Sequence, residues 1–435
     1  MEREAFALLT RCAACLSLRG QQSPSQAMGP SRQGDTTHSG GSLSTLHGCS
    51  TFSLLRTSAG PLSLIGPAAP YWCSTGCVGL DRALGGGGFR SGWVTEVYGE
   101  AGAGKTQLGL QCLLQQSAHD LCKSAAALCL AHNPQFAALR LLQQQQQQNT
   151  QSTQGMVQRC NEAFHVESVK AARCAVVYLV SEEVPTSRLG PLAAAAVRRA
   201  VRAVQLHPLI TSLPSGIVEA VMRSVRQTCT DTMVLSCLQI RHIASMQELL
   251  RLVEPHAAAA PPPSSPGEGR SSCSLSDAVR MLSGSLGRAL IVLDSIAAAV
   301  VAGQADIHGI AQTDASVAAI ATQLRCAAAR HNWCVVGINQ VRATRHHSTG
   351  SSCTQFKRTR SPTSSSSLSS SGFSADGSHT VVPALGLAWS SASQCRVHLR
   401  KSLSLGVRQL ILRQSPAHPP SQASYVITQN GIEDA

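Results

Sequence analysis

A glycine-rich octapeptide carries the most recognisable chemistry in this sequence. It fits the pattern G-x-x-x-x-G-K-[ST] and consists of Gly99, Glu100, Ala101, Gly102, Ala103, Gly104, Lys105 and Thr106. Glycines let the backbone curl so that several N–H groups face a phosphate, and the positive end of the following helix adds to the attraction. We expect Lys105 to reach the β- and γ-phosphates of a nucleotide and the Thr106 hydroxyl to bind Mg²⁺. The pattern therefore predicts a nucleotide site.

The segments on either side of the octapeptide have the character that such a site requires. Residues 93–98 carry the β-branched and aromatic side chains that are typical of a strand. Residues 107–116 are rich in helix-forming side chains, which predicts a helix. The order strand, loop, helix is the context of a phosphate-binding loop. A glycine-rich turn that happens to end in Lys-Thr is the alternative.

Acidic side chains follow two apolar runs. Asp294 ends the run 289–293, and Glu182 and Glu183 follow the run 174–180. Because open α/β sheets bind ligands at the carboxyl ends of their strands, we expect Asp294 to orient Mg²⁺ through water. One of the two glutamates is predicted to polarise the attacking water as a general base, and the spacing does not choose between them. A helix N-cap for Asp294 and a solvated acidic turn for the glutamates are the alternatives.

A third apolar run, 334–338, leads to Gln340 and then to a basic segment. A neutral amide at a strand end can contact a γ-phosphate and pass its presence to the next loop. The segment 341–380 has no acidic residue before Asp376. We expect it to track a nucleic-acid backbone, and the predicted DNA contacts are Arg342, Arg345, Lys357, Arg358 and Arg360. A disordered basic insertion without a ligand is the alternative.

The apolar runs predict the fold class. Those at 174–180, 289–293 and 334–338 are nearly continuous, which is typical of strands covered on both faces. Helical patterns at 192–205 and 313–330 separate them, so we predict an α/β fold with a mostly parallel sheet and helices on both faces. The short alternating runs 394–400, 409–413 and 424–428 predict antiparallel strands that extend this sheet.

Low-complexity stretches predict the domain organisation of the 435-residue chain. Residues 1–70 are rich in Ser and Gly and are expected to lack a packed core. Residues 71–435 are predicted to form one core with insertions near 143–158, 255–275 and 345–380. An organelle transit peptide within the first 70 residues is an alternative.

The composition of the chain bears on its binding partners, its redox compartment and its relation to membranes. The formal charge of +13 is compatible with a polyanionic partner, and an Arg-biased composition explains it equally well. The 17 cysteines are irregularly spaced, and several, such as Cys112, Cys174 and Cys334, lie in apolar contexts typical of buried free thiols in a reducing compartment. Zinc half-sites at Cys12 and Cys15 and at Cys73 and Cys77 are an alternative, although the long gap between them departs from the spacing of compact zinc modules. No apolar run reaches 18 residues, so no membrane span is expected.

Taken together, these segments resemble the RecA/RadA-type recombinase family. The resemblance rests on Gly104–Leu108, on the strand ending in Ser181-Glu182, on Leu293–Ala297 and on Ile338–Val341. Residues 382–389 and 424–428 are similar to a eukaryotic recombinase paralogue. The resemblance covers most of residues 72–432 but not the insertions.

The resemblance implies ATP and Mg²⁺ as cofactors of a RecA-type P-loop ATPase core. It implies that the octapeptide and Gln107 bind the nucleotide, that Thr106 and Asp294 serve the metal, and that Arg188 lies beside the adenine. Glu182 rather than Glu183 would be the catalytic glutamate, acting with Lys105 and Gln340. The second DNA-binding loop would begin at Gln340, and the first would lie near residues 301–310.

The resemblance also implies a nuclear accessory factor of homologous recombination and double-strand break repair. Such a factor binds single-stranded or branched DNA and works with another recombinase paralogue to assist the strand-exchange recombinase, and its ATP hydrolysis can be slow. Filament-forming members join through Phe-x-x-Ala, and none of the seven Phe residues here has Ala three residues later. An autonomous DNA-dependent ATPase that pairs strands and a scaffold stabilised by nucleotide are the alternatives, as is a partly cytoplasmic location.

Overall fold

The computed structural model describes residues 69–145, 174–253, 287–302, 310–343, 381–402 and 406–435, together with 159–160, 163–165, 275 and 279. Apart from Ala69, all of them belong to one compact unit. The predicted N-terminal region up to residue 68 and most of the three predicted insertions lie outside the described residues.

Thirteen strands occur in the described residues. They are β1 (Trp72–Cys73), β2 (Phe89–Arg90), β3 (Val94–Gly99), β4 (Cys174–Val180), β5 (Leu238–His242), β6 (Arg288–Asp294), β7 (Cys334–Asn339), β8 (Val341–Ala343), β9 (Val381–Pro383), β10 (Cys395–Lys401), β11 (Val407–Gln414), β12 (Ser421–Thr428) and β13 (Gly431–Asp434).

The helices of the same residues are numbered in chain order. They are α1 (Val78–Ala83), α2 (Lys105–His132), α3 (Pro134–Gln145), α4 (Thr186–Gln205), α5 (Pro208–Thr211), α6 (Ser215–Thr228), α7 (Asp231–Cys237), α8 (Met246–Val253), α9 (Ile296–Ala302), α10 (Ile310–His331) and α11 (Gly386–Ser390).

Nine strands form one sheet in the order β13-β12-β11-β10-β3-β7-β6-β4-β5. The six strands from β10 to β5 are parallel to one another, and β11, β12 and β13 continue the sheet in antiparallel fashion. Two small ladders, β1 with β2 and β8 with β9, lie apart from it. The predicted α/β fold with a mostly parallel sheet and an antiparallel C-terminal extension is therefore confirmed.

Helices cover both faces of the sheet because the central strands carry apolar side chains on both sides. On one face, α2, α4 and α6 pack against side chains such as Val176 and Val336. On the other face, α8, α10 and α11 pack against side chains such as Val177 and Val335. This two-sided burial explains why these strands have continuous rather than alternating apolar runs.

The structure refines the predicted elements at several points. Strand β4 has the predicted bounds, whereas α2 and α4 are longer than the helical patterns indicated. The run 394–400 forms β10, which is antiparallel to β11 but parallel to β3. An alternating pattern of side chains shows which face of a strand is buried. This pattern is the same in parallel and antiparallel strands, so it does not predict the direction of pairing. Strands β5 and β13 were not predicted.

Candidate nucleotide-binding site

The octapeptide forms the connection between β3 and α2 at the carboxyl edge of the sheet. Gly102 and Gly104 have φ values of 75° and 96°, in the left-handed region that favours glycine. A Cβ atom on Gly104 would lie 2.7 Å from the Ile427 Cδ1 atom of β12. The backbone conformation requires the final glycine, and a larger residue would also displace the end of the Ile427 side chain.

The loop directs unpaired backbone donors toward one space. Within the described residues, no acceptor is found for the N–H groups of Gly102, Gly104, Lys105 and Thr106. The last two belong to the first turn of α2, where N–H groups have no partner inside the helix. Such convergent donors at a helix N-terminus fit an anionic phosphate.

Lys105 lies across the loop that it follows. Its Nζ atom donates to the carbonyl oxygens of Gly99, at 2.7 Å, and Glu100, at 3.0 Å. Burial lowers the pKa of Lys105, and the nearby carboxylates of Asp294 and Glu182 oppose that shift. The ammonium group therefore lies against the loop and within the electrostatic influence of two acidic groups that are predicted to act at the same site.

Asp294 ends β6 and is 9% exposed. Its carboxylate accepts hydrogen bonds from the Tyr178 hydroxyl, at 2.9 Å, and from the Thr106 hydroxyl. Burial raises the pKa of Asp294, and these two hydrogen bonds oppose the shift. The hydroxyl and the carboxylate that were predicted to serve Mg²⁺ are therefore in direct contact, and both are the hard oxygen donors that this cation prefers.

Glu182 and Glu183 follow β4 and are both exposed. The Oε1 atom of Glu182 accepts from the Ser295 hydroxyl at 3.5 Å and from the Gln340 amide at 3.3 Å. No hydrogen bond or ion pair of Glu183 is present in the part of the chain that the structure describes. The structure thus brings Glu182 and Gln340 together and leaves Glu183 aside.

A cavity of about 660 Å³ lies beside the loop. Arg188 forms part of its wall, donating to the Thr428 carbonyl oxygen at 2.7 Å and to the Gln107 Oε1 atom at 3.4 Å. The cavity is lined by Gly102, Gly104, Lys105, Thr106, Gln107, Pro185, Arg188, Ile427, Thr428 and Gln429. The last three residues were not predicted as site residues, because nothing in their types indicates a ligand.

The segment that contains the octapeptide is similar to known proteins. Residues 71–145 match the family described as the RecA N-terminal domain. This part of the chain is similar to RecA. A stretch of 43 residues is 51% identical to the protein RecA of Ruegeria pomeroyi, which corresponds to 10% of this chain and 12% of the length of that relative. The crystal structure of the RadB recombinase aligns with 83% of this chain and 99% of its own, at 18% identity and a TM-score of 0.41.

The RecA match places the octapeptide, β3 and α2 inside one recognised segment. It relates this segment, and no other part of the chain, to RecA. Most of the RecA protein of Ruegeria pomeroyi lies outside the matched stretch, so this match does not show the activity of the whole chain.

The predicted DNA-binding residues lie largely outside the described residues. Arg342 is on β8 and is exposed, and Arg345, Lys357, Arg358 and Arg360 fall in the segment 344–380, which the structure does not describe. The ladder of β8 and β9 joins the two ends of that segment. Of the predicted first DNA loop, 301–310, only the helical ends are described. Both DNA loops therefore stay predictions.

The remaining predictions concern thiols, metals and membranes. Of the twelve cysteines that the structure describes, all are free and nine are buried, including Cys112, Cys174 and Cys334. The described ranges contain no group of three or more His, Cys, Asp or Glu residues placed to hold a metal ion. None of the described helices is long and apolar enough to cross a bilayer.

Proposed function

We propose that this chain is an ATP-binding and DNA-binding accessory factor of homologous recombination and double-strand break repair. The RecA match of residues 71–145 supports the family, and residues 382–389 and 424–428 resemble the paralogue called X-ray repair cross-complementing protein three. It would act in the nucleus, together with another recombinase paralogue, to assist the strand-exchange recombinase.

The nucleotide would be held by groups that already converge. Lys105 and the unpaired N–H groups of the loop bind the phosphates, while Thr106 and Asp294 hold Mg²⁺. The bound metal ion supplies positive charge that stabilises the phosphates. Arg188 and the turn after Ile427 flank the base.

Glu182 is the group that can act on water. Its carboxylate is exposed, is oriented by the Ser295 hydroxyl and the Gln340 amide, and can accept a proton from a water molecule beside the γ-phosphate. Asp294 is buried and hydrogen-bonded at the metal position. The two carboxylates are thereby separated into a base and a ligand, as their different environments favour.

The contact between Gln340 and Glu182 carries the proposal. The Gln340 side chain reaches the catalytic edge, while its carbonyl oxygen accepts from the Ala384 N–H at 2.8 Å. Gln340 precedes the basic segment and Ala384 follows it, so one residue joins the nucleotide edge to both ends of the segment. A nucleotide that rearranges Gln340 therefore shifts the population of segment conformations and with it the affinity for DNA.

The test is the DNA affinity of the purified protein with and without ATP and Mg²⁺, beside the variant Lys105→Ala. Single-stranded and branched DNA are titrated across a salt series, since phosphate contacts give a steep salt dependence. We expect ATP to tighten binding in the wild type and to have no effect in Lys105→Ala. An affinity that ATP leaves unchanged, together with a lower melting temperature of Lys105→Ala, would support the scaffold alternative instead. Sedimentation of long filaments with DNA and ATP would support the autonomous recombinase.

A further inference from the structure

We propose that Tyr425 is a positioning residue of the nucleotide site, one that shapes the phosphate-binding loop from behind. This inference rests on the proposed nucleotide binding and adds a residue that lies outside the octapeptide motif and more than 300 positions after it. Tyr425 lies on β12 and is completely buried. Its hydroxyl donates to the carbonyl oxygen of Ala103 at 2.6 Å.

This hydrogen bond fixes the orientation of one peptide unit inside the loop. In a trans peptide the C=O and the N–H groups point in opposite directions. Because the Ala103 carbonyl faces Tyr425, the N–H of Gly104 in the same peptide unit faces away from β12. That N–H is among the loop donors for which the described residues provide no acceptor. Tyr425 thereby keeps a phosphate donor aimed outward.

A second contact from the C-terminal strands acts on the neighbouring peptide unit. The Arg408 Nε atom of β11 donates to the Gly102 carbonyl oxygen at 3.1 Å. Arg408 also donates to the Gly406 carbonyl oxygen at 2.9 Å, which holds its side chain in place. Two consecutive carbonyls of the loop are thus bound by side chains from two adjacent strands.

The carbonyl oxygens of the loop are almost all bound. Those of Gly99 and Glu100 accept from Lys105, that of Gly104 accepts from the Leu108 N–H, and those of Gly102 and Ala103 accept from β11 and β12. Bound carbonyls together with unpaired N–H groups make a cradle with a defined polarity. Such preorganisation lowers the reorganisation required when an anion binds.

Of the two residues that contact the loop from β11 and β12, Tyr425 is the better one to test, because it is buried and because substitution by Phe removes its hydroxyl alone. Arg408 is partly exposed, so a surface arginine can exchange its partner for water. Ala103 is completely buried, and its carbonyl oxygen would lose the Tyr425 hydroxyl. We therefore expect the peptide unit to rotate more freely in a variant without the hydroxyl.

The experiment compares Tyr425→Phe with Tyr71→Phe in the full chain. Tyr71 is also buried, and its hydroxyl donates to the Ala289 carbonyl oxygen at 2.8 Å, at the opposite end of β6 from Asp294. Both variants therefore remove a buried hydroxyl that donates to a backbone carbonyl, and the Tyr71 hydroxyl also accepts from the Ala289 N–H at 3.1 Å. Only Tyr425→Phe is expected to weaken the binding of Mg²⁺ and ATP, by about threefold to tenfold, the range that one net hydrogen bond supplies. In steady-state hydrolysis the change should fall on KM and leave kcat nearly unchanged.

A second measurement needs no nucleotide. Hydrogen exchange of the peptide that contains residues 99–106 should be faster in Tyr425→Phe than in the wild type and unchanged in Tyr71→Phe. Equal exchange in this peptide for wild type and Tyr425→Phe overturns the inference, as does equal weakening of ATP binding by both variants. A wild type that binds no ATP, or a Lys105→Ala variant that binds it as well as the wild type, contradicts the proposed function instead.

Discussion

The two sides of the predicted nucleotide site are built differently. On the octapeptide side, loop carbonyls are bound by Lys105, Arg408 and Tyr425, and Ile427 lies against Gly104. On the other side, Glu182 and Gln340 are exposed and share one hydrogen bond of 3.3 Å. Regions with few contacts open or rearrange at little free energy. The difference suggests that one side holds the nucleotide while the other side responds to it.

The side that carries Glu182 and Gln340, called the responding side below, is nevertheless anchored to the buried core. The ring of Trp389 on α11 is fully buried and lies over Gly337 of β7, where an added Cβ would lie 2.7 Å from the indole ring. The helix α11, which follows β9, is therefore anchored on the sheet.

The largest effect is expected for the chemistry of the responding side. Glu182→Gln removes the base, so ATP hydrolysis should fall by about 100-fold to 10,000-fold, the usual contribution of a general base. Nucleotide affinity should change little, because the side chain is exposed and lies outside the cradle. Phosphate release measures the first quantity and calorimetry the second. Glu183→Gln is the matched control, and an equal loss of hydrolysis in both variants would contradict the assignment.

The next largest effect is expected on the holding side. Lys105→Ala removes a charged donor to the phosphates, so ATP affinity should fall by about 10-fold to 100-fold, as for a lost charge-assisted hydrogen bond. Titration calorimetry with Mg²⁺ and ATP measures it. Arg330→Ala, which removes a positive charge from the exposed last turn of α10, serves as the control. If Lys105→Ala retained the wild-type affinity, the loop would not be the phosphate site.

A smaller effect is expected for the connection between the two sides. Gln340→Ala breaks the contact with Glu182, and the ATP-dependent gain in DNA affinity should shrink by about fivefold, a typical coupling between two sites. ATP affinity itself should stay nearly constant. Fluorescence anisotropy with labelled DNA measures the gain, and the exposed Gln422→Ala on β12 is the control. A Gln340→Ala variant with the full ATP effect would show that the coupling runs elsewhere.

The smallest effect concerns stability at the buried carboxylate. Burial raises the pKa of Asp294, so the folded protein binds this proton more tightly than the unfolded chain. Stability therefore falls as the pH rises from about 4, the ordinary value, through the raised folded pKa. Without metal near pH 7, Asp294→Asn should melt about 1–3 °C higher than the wild type. Thermal unfolding between pH 4 and 7 measures this, and a lower melting temperature of the variant at every pH would contradict it.

Addition of Mg²⁺ and ATP distinguishes the role of Asp294 further. Bound ligand stabilises the folded state in proportion to its affinity. The wild type should therefore gain melting temperature on ligand addition, and Asp294→Asn should gain less. Equal gains would remove Asp294 from the metal site.

Much of the fold could be predicted because the central strands are buried on both faces and therefore have continuous apolar runs. Strand β4 is buried on both faces, and its apolar run ends where burial ends, so its bounds were predicted correctly. Strand β5 escaped prediction because it lies at the edge of the sheet, where Gln239 and Ile240 are exposed and the apolar run is lost. Strand β13 is only four residues long and is positioned by its pairing with β12, which no local pattern reveals.

The candidate site was predictable where one residue type has one chemical use. The glycines and Lys105 are such residues, and so is a carboxylate at a strand end. Ser295 and Tyr178 were missed because a serine and a tyrosine suit many places, and only the fold brings them to Glu182 and Asp294. Tyr425 is a clearer case, since it meets Ala103 across a sequence separation of 322 residues.

One long-range contact has a consequence for how the protein is made. Gln111 on α2 binds backbone atoms of Thr75 and Ile432, and the Ile432 contacts span 321 positions of the chain. At about 5–20 residues per second, a ribosome needs roughly 15–60 s to travel that distance. During this time the helix that follows the phosphate loop has been synthesised, but the strand that covers it has not. The Gln111 side chain thus lacks its β13 partner for many seconds, and we expect this end of the helix to reach its final packing only after β12 and β13 have been synthesised.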